Sequence, residues 1–227
     1  MIRVAVAGAA VDATPGIEPA PADPAPTVRF QRKDTEQCHV CLGAVGLPRG
    51  DDRRFAARVL DAIFGGLSSS RLFQAVREQR GLAYSVYSFS GQYADTGQIG
   101  LYVGTRPDKV GEAMQVVGEE LARLRETPAT EEELIRAREN VKARVVLALE
   151  STGARMNRLG ASLLFGLPLL ETDEVVARFE AVTLDDLREL TDELWAPERL
   201  SAAGIGPDAQ AFRDAVSSVC PGAGVTA

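Results

Sequence analysis

The sequence predicts an α+β fold: a mixed, mostly antiparallel sheet with helices packed on one face. Three observations lead there. Two pairs of segments, 27–32 with 37–45 and 82–90 with 98–105, combine β-branched residues with period-two alternation. A single late strand, 200–205, follows a long helical stretch. No doubly wound β-α-β series with a phosphate-binding glycine loop is present, so the helices cover the sheet rather than alternate with its strands.

Length and composition set the bounds. A chain of 227 residues can bury a core without disulfide or metal staples. Its 45% apolar and 25% charged residues are ordinary globular values. The net charge of −7 and the interleaving of arginines with glutamates along the helices argue against nucleic acid as a partner. No apolar run approaches the ~20 residues that span a bilayer. The best candidate, 159–170, is broken by Gly160, Gly166 and Pro168. The first residues form a short apolar run without a convincing cleavage site, so the protein is expected to be cytoplasmic, with no membrane partner.

Residues 2–10 read as a strand with almost no lead-in. A linker follows, holding Pro15, Pro19, Pro21, Pro24 and Pro26, too proline-rich for a helix or a central strand. A strand with no preceding partner suggests a chain cut from something longer. Residues 1–30 are therefore expected to be a strand remnant and linker, and 31–227 one α+β domain. The turn at 47–52 feeds a helix over 53–64 whose apolar stripe is Phe55, Val59 and Ala62/Ile63. Gly65 and Gly66 end it.

Ser68, Ser69 and Ser70 offer N-cap oxygens to a short helix over 70–79, with Leu72, Phe73 and Val76 as its apolar positions. Gly81 stops it. The second strand pair follows, joined by the loop 92–97 with Gly97 free to take positive φ. Helices are expected over 108–125, over 130–150 behind the capping box Thr130/Glu133, over 151–165, from Thr172, over 183–195 and over 208–219. Residues 221–227 read as a frayed tail.

Most catalytic templates fail on this sequence. Cys38-His39-Val40-Cys41 has the spacing of a zinc or redox motif, but it lies in a strand, where residues three apart face opposite ways. With three cysteines there is no disulfide framework. The lone His39 rules out two-histidine zinc motifs in this chain and is read as a strand histidine satisfied by a neighbour. No metal ligands are assigned. Gly65-Gly66-Leu67-Ser68 is not a phosphate loop, because no Lys-Ser/Thr follows. Carboxylates on the helices alternate with arginines as surface pairs.

Arg77 and Tyr84 remain. An arginine in the last helical turn and a tyrosine at the start of the next strand, with Gly81 reversing the chain between them, can converge on one point. Arg77 presents a planar fork to peptide carbonyls or a carboxylate, and Tyr84 a neutral hydroxyl to a developing oxyanion. Spacing alone leaves open a plainer reading, in which Arg77 favours its helix C-terminus and Tyr84 is a half-buried strand residue.

The run GGLSSSRLFQAVREQRGLAYSVYS closely resembles the C-terminal-half signature of the pitrilysin/insulinase-type metallopeptidases, a family that includes bacterial processing proteases and the mitochondrial processing peptidase. EQCHVCLGAVGL before it and ATEEELIRARENVKARVVLALES after it are similar to the same family, so the likeness covers about residues 31–206. It implies a half-domain of the clamshell type, in which two homologous halves close around an extended peptide. One half carries the zinc motif H-x-x-E-H. The other supplies an arginine and a tyrosine, which match Arg77 and Tyr84, as catalytic and substrate-binding groups. Residues 2–10 would then close the connection from the first half.

The zinc motif is missing here. The resemblance therefore implies the zinc-free, substrate-binding half of a zinc-dependent endopeptidase. Zinc is expected on an N-terminal zinc-bearing half or subunit, peptide is the substrate, and this chain alone is expected to be inactive. A homodimer of the isolated chain is a further possible assembly. The alternative is a non-catalytic scaffold subunit, like the family's respiratory core proteins.

Overall fold

The computed structural model describes residues 24–127 and 129–225. The strand expected over 2–10, and the linker up to residue 23, lie outside the described residues. The elements run β1 (Thr27–Arg32), β2 (Cys38–Gly46), α1 (Arg54–Phe64), a π-helix (Phe73–Glu78), β3 (Ala83–Gln92), β4 (Gly97–Thr105) and α2 (Val110–Glu126). Then come α3 (Glu131–Ala148), α4 (Thr152–Leu164), α5 (Thr172–Glu180), α6 (Leu184–Leu194), β5 (Ser201–Gly206), α7 (Ala209–Ser217) and β6 (Gly224–Val225).

One sheet, in the order β3-β4-β2-β5-β1-β6, organises the molecule. β3 with β4, β4 with β2, and β2 with β5 are antiparallel, while β1 pairs in parallel with β5 and β6. The sheet is thus mixed and mostly antiparallel, as expected. The tail is a correction: Gly224 donates its N–H to the Pro26 carbonyl at 3.0 Å and adds a two-residue strand beside β1.

Strand alternation decides which face is covered. Val40, Leu42, Leu101 and Val103 are fully buried, and Val28, Val86 and Ala202 nearly so, on the face that meets the helices. The opposite phase holds His39, Cys41, Tyr87, Tyr102, Ala203 and Ile205, which stay partly or largely exposed. Phe64 packs edge-to-face on Trp195 at 4.8 Å, joining α1 to the end of α6, and Phe212 of α7 lies 4.8 Å from Phe30 of β1.

Helix starts follow the sequence closely. Thr130 and Glu133 form the expected capping box, as do Thr183 with Asp186 and Glu171 with Glu174. At the end of α1, Gly65 and Gly66 donate to the Asp61 carbonyl. A Cβ on Gly65 would sit 2.3 Å from the Ser88 nitrogen, so only glycine lets α1 approach β3 this closely.

Three expectations around the first hairpin are corrected. The short helix is a π-helix, with the Gln79 N–H bonded to the Gln74 carbonyl five residues back. Its serines do not cap it: Ser70 is buried and donates its hydroxyl to the Leu67 carbonyl at 2.5 Å. Gly97 has no positive φ, since among the described residues only Gly81 (φ +60°) and Gly166 (φ +62°) do. Glycine is needed at 97 because a Cβ there would fall 2.1 Å from the Leu47 carbonyl oxygen.

Candidate functional site

Arg77 sits in the last turn of the π-helix and Tyr84 is the second residue of β3, the edge strand of the sheet. Between them Gly81, at φ +60°, reverses the chain, and its N–H returns to the Arg77 carbonyl at 3.0 Å. Leu82 donates its N–H to the Val76 carbonyl at 2.9 Å, and the buried Thr105 hydroxyl donates to the Leu82 carbonyl at 2.6 Å. Ser88, further along β3, donates to the Asp61 carboxylate at 2.5 Å and ties the strand to α1. The turn that carries the two residues is therefore anchored on both sides.

Sequence reasoning places Arg77 and Tyr84 near one another, and the structure brings them into contact. Arg77 Nη1 donates to the Tyr84 carbonyl at 3.0 Å, and the guanidinium carbon lies 4.7 Å from the centroid of the Tyr84 ring. Two features escape that reasoning. Tyr84 is the extra residue of a β-bulge, where the register shifts between Ala83 and Ser85, and a bulge re-aims the side chain it carries. The Arg77 guanidinium also lies over the Phe73 ring, again at 4.7 Å. The i, i+4 spacing of Phe73 and Arg77 is the available signal, but at that spacing Phe73 also reads as a core position.

The polar atoms of this pair are mostly free. Tyr84 is 78% exposed, and its hydroxyl has no hydrogen-bond partner among the described residues. Beyond the Tyr84 carbonyl, Arg77 has only the exposed Glu78 carboxylate at 3.7 Å. Tyr84 is on the edge strand, and neither residue lines the two hollows over the sheet's open face.

One of those hollows, of about 560 Å³, is lined by Gln31, His39, Cys41, Tyr102, Ala203 and Ile205 among others. His39 Nδ1 and the Tyr102 hydroxyl share a 2.6 Å hydrogen bond there, so the strand histidine is satisfied by a neighbour as expected. Burial pushes the Tyr102 phenol up from its ordinary value. Cys38 turns into the core while Cys41 faces the hollow, and burial raises both thiols. Burial also pushes Cys220 up to about 12. Among the described residues no group of three or more His, Cys, Asp or Glu could hold an ion. None of the described helices is long and apolar enough to cross a membrane.

A family model described as the peptidase M16 inactive domain matches residues 9–141. A protein of Streptomyces coelicolor named as an uncharacterized zinc protease is 45% identical over 189 residues, which is 82% of this chain and 41% of that protein. A Bacillus subtilis protein of the same description is 38% identical over 177 residues, covering 78% of this chain and 43% of the relative. Among solved structures, a peptidase M16 inactive domain from Pseudomonas fluorescens superposes with a TM-score of 0.75 at 23% identity. The match covers 83% of this chain and 45% of that one, and shows a shared fold. The chain spans less than half the length of the curated relatives it matches.

Proposed function

The chain belongs to the peptidase M16 family, as a copy of its inactive domain, and on that premise we propose that it is the zinc-free, substrate-binding half of a zinc-dependent endopeptidase. The zinc-protease relatives extend well beyond the matched region, which leaves room for a zinc-bearing half. The reading is carried by one observation: a half-buried arginine fork and an exposed tyrosine, in contact with each other, stand at the edge strand of the sheet. Such a pair is half a site and needs a second body facing it.

In this role Arg77 holds a carbonyl or carboxylate of an extended peptide. Tyr84 donates its neutral hydroxyl to the oxygen that gains charge as the scissile amide is attacked. Zinc on the other half would supply the activated water. Among the described residues no cluster fits a zinc ion: the single histidine has no second or third ligand beside it, and Cys38 and Cys41 face opposite ways.

A surface for the other half is also at hand. α4 buries none of its residues and exposes Met156, Leu159, Leu163 and Leu164, an uncovered apolar stripe that suits docking to a zinc-bearing half in a clamshell. In the isolated chain a second copy can take that place. The three cysteines are free, which suits a reducing compartment, and we assign the protein to the cytoplasm.

The test is reconstitution with a zinc-bearing M16 half and an assay on a fluorogenic peptide. Cleavage that depends on both halves and falls in Arg77→Ala and Tyr84→Phe is the expected result. A stable complex that cleaves nothing would make the chain a scaffold instead.

A further inference from the structure

Phe73 is the residue that the rest of the fold leaves unexplained. It occupies an apolar position of the π-helix, yet it stands half-buried and outside the hydrophobic core that takes in its neighbours Leu72, Ala75 and Val76. Its ring instead faces the guanidinium of Arg77, centroid to Cζ 4.7 Å. The same guanidinium carbon lies over the Tyr84 ring, at the same distance. The guanidinium thus contacts two aromatic rings at once, in a stack of Phe73, Arg77 and Tyr84.

The stack has a mechanical consequence. An exposed arginine side chain has many rotamers, and ordering it on binding is costly. Two aromatic rings hold the guanidinium by cation–π contact without using any of its N–H groups. Within the protein Nη1 donates to the Tyr84 carbonyl at 3.0 Å, and Nε lies 3.7 Å from the exposed Glu78 carboxylate. The edge of the fork remains available for a bidentate contact while its orientation is already set.

We propose that Phe73 is a positioning residue for Arg77: its ring closes the stack and presents the fork, pre-oriented, to the backbone carbonyls or carboxylate of a bound peptide. Phe73 and Arg77 stand four residues apart on the π-helix, while Leu72 and Val76 turn into the core. This role rests on the substrate-binding reading of Arg77.

The experiment has an arm that needs no peptidase activity. In the full chain, the Nε–Hε resonance of Arg77, assigned through Arg77→Lys, is expected to be ring-current shifted. Phe73→Leu should return it toward the range of the other arginines, and Phe73→Tyr should restore the shift. In the reconstituted enzyme Phe73→Leu should raise KM about fivefold, corresponding to about 1 kcal/mol, with kcat little changed. Phe73→Tyr should behave as wild type, and a thermal midpoint within a few degrees of wild type separates these effects from unfolding. An Arg77 resonance unmoved in Phe73→Leu overturns the proposal, and so does a moved resonance with KM unchanged while Arg77→Ala is impaired. If Arg77→Ala itself cleaves normally, the substrate-binding reading fails and this role fails with it.

Discussion

Arg71 and Glu133, 62 residues apart in sequence, meet in a bidentate ion pair, Nε to Oε1 at 2.8 Å and Nη2 to Oε2 at 2.7 Å. The same carboxylate accepts the Thr130 N–H at 2.8 Å and so completes the cap of α3. One side chain therefore joins the segment leading into the π-helix to the start of α3. The Arg71 hydrogen bonds, helped by the Thr130 N–H, hold the Glu133 carboxyl at about 2. An unfolded glutamate titrates near ~4.3. The folded value is depressed, so this contribution to stability is fully present above the unfolded value and is lost as pH falls toward about 2. Glu133→Gln keeps the cap but removes the charge. It should cost on the order of 1 kcal/mol at neutral pH and flatten the acid limb of the stability curve, measured by urea unfolding at a series of pH values.

Asp61 should behave in the opposite sense. Burial pushes its carboxyl up, against the lowering effect of the Ser88 hydroxyl, Arg58 and Arg144. Because the folded value is raised, ionising Asp61 works against the fold, and stability falls as pH rises through the carboxylate range. Asp61→Asn keeps an acceptor for Ser88 and removes the buried charge. The variant should lose that pH-dependent decline, while Ser88→Ala should be destabilised at every pH because it leaves the carboxylate less satisfied. An Asp61→Asn curve parallel to wild type from about pH 4 to 8 would refute the assignment.

Tyr84→Phe removes a hydroxyl from a residue that is 78% exposed and leaves no partner unpaired, so the fold should not notice. Turnover by the reconstituted enzyme should fall on the order of a hundredfold, the usual effect of deleting one oxyanion donor. Arg77→Ala should act mainly through KM, since a substrate-holding fork contributes to ground state and transition state alike. Steady-state kinetics with unfolding midpoints as the control reads both.

Gly81 and Gly97 should respond differently to alanine. A methyl group on Gly81 would meet nothing within 4 Å and only φ +60° is unfavourable, so Gly81→Ala should cost about 1–2 kcal/mol. At Gly97 a Cβ would fall 2.1 Å from the Leu47 backbone oxygen, which cannot step aside as a side chain would. Gly97→Ala should cost more than Gly81→Ala, by parting the β2–β4 ladder where Gly46 pairs with Gly97. Denaturant midpoints rank the two.

Local chemistry is the legible part of this molecule. The Thr130/Glu133 and Thr183/Asp186 caps announce themselves within four residues, and the burial of Val40 and Leu42 follows from period-two alternation. A glycine turn of fixed length puts Arg77 near Tyr84, but only the resemblance to the metallopeptidase signature singles the pair out. Features set by distant neighbours are not legible. The need for glycine at 97 comes from the Leu47 backbone, and the β6 pairing comes from β1, far earlier in the chain. Within the site, the π-helix and the bulge at Tyr84 each amount to one residue of slippage, which leaves the hydrophobic pattern unchanged. Phe73 reads as an apolar helix position in the sequence, yet it lies outside the core and against the guanidinium.

The parallel pairing of β1 with β5 has a consequence in time. Thr27 donates its N–H to the Ser201 hydroxyl across 174 residues, and the Val28–Ala202 register continues that contact into the sheet. During synthesis β3 and β4 can zip as a hairpin and β2 can join them, but β5, which bridges β2 to β1, emerges from the ribosome only long after them. Until then β1 has no partner within the sheet, and one edge of β2 stays open. High contact order of this kind makes folding slow and leaves a nascent intermediate that invites chaperones. A chain shortened before Ser201 would keep the stack of Phe73, Arg77 and Tyr84 in its sequence yet lack the strand that closes the sheet beneath it.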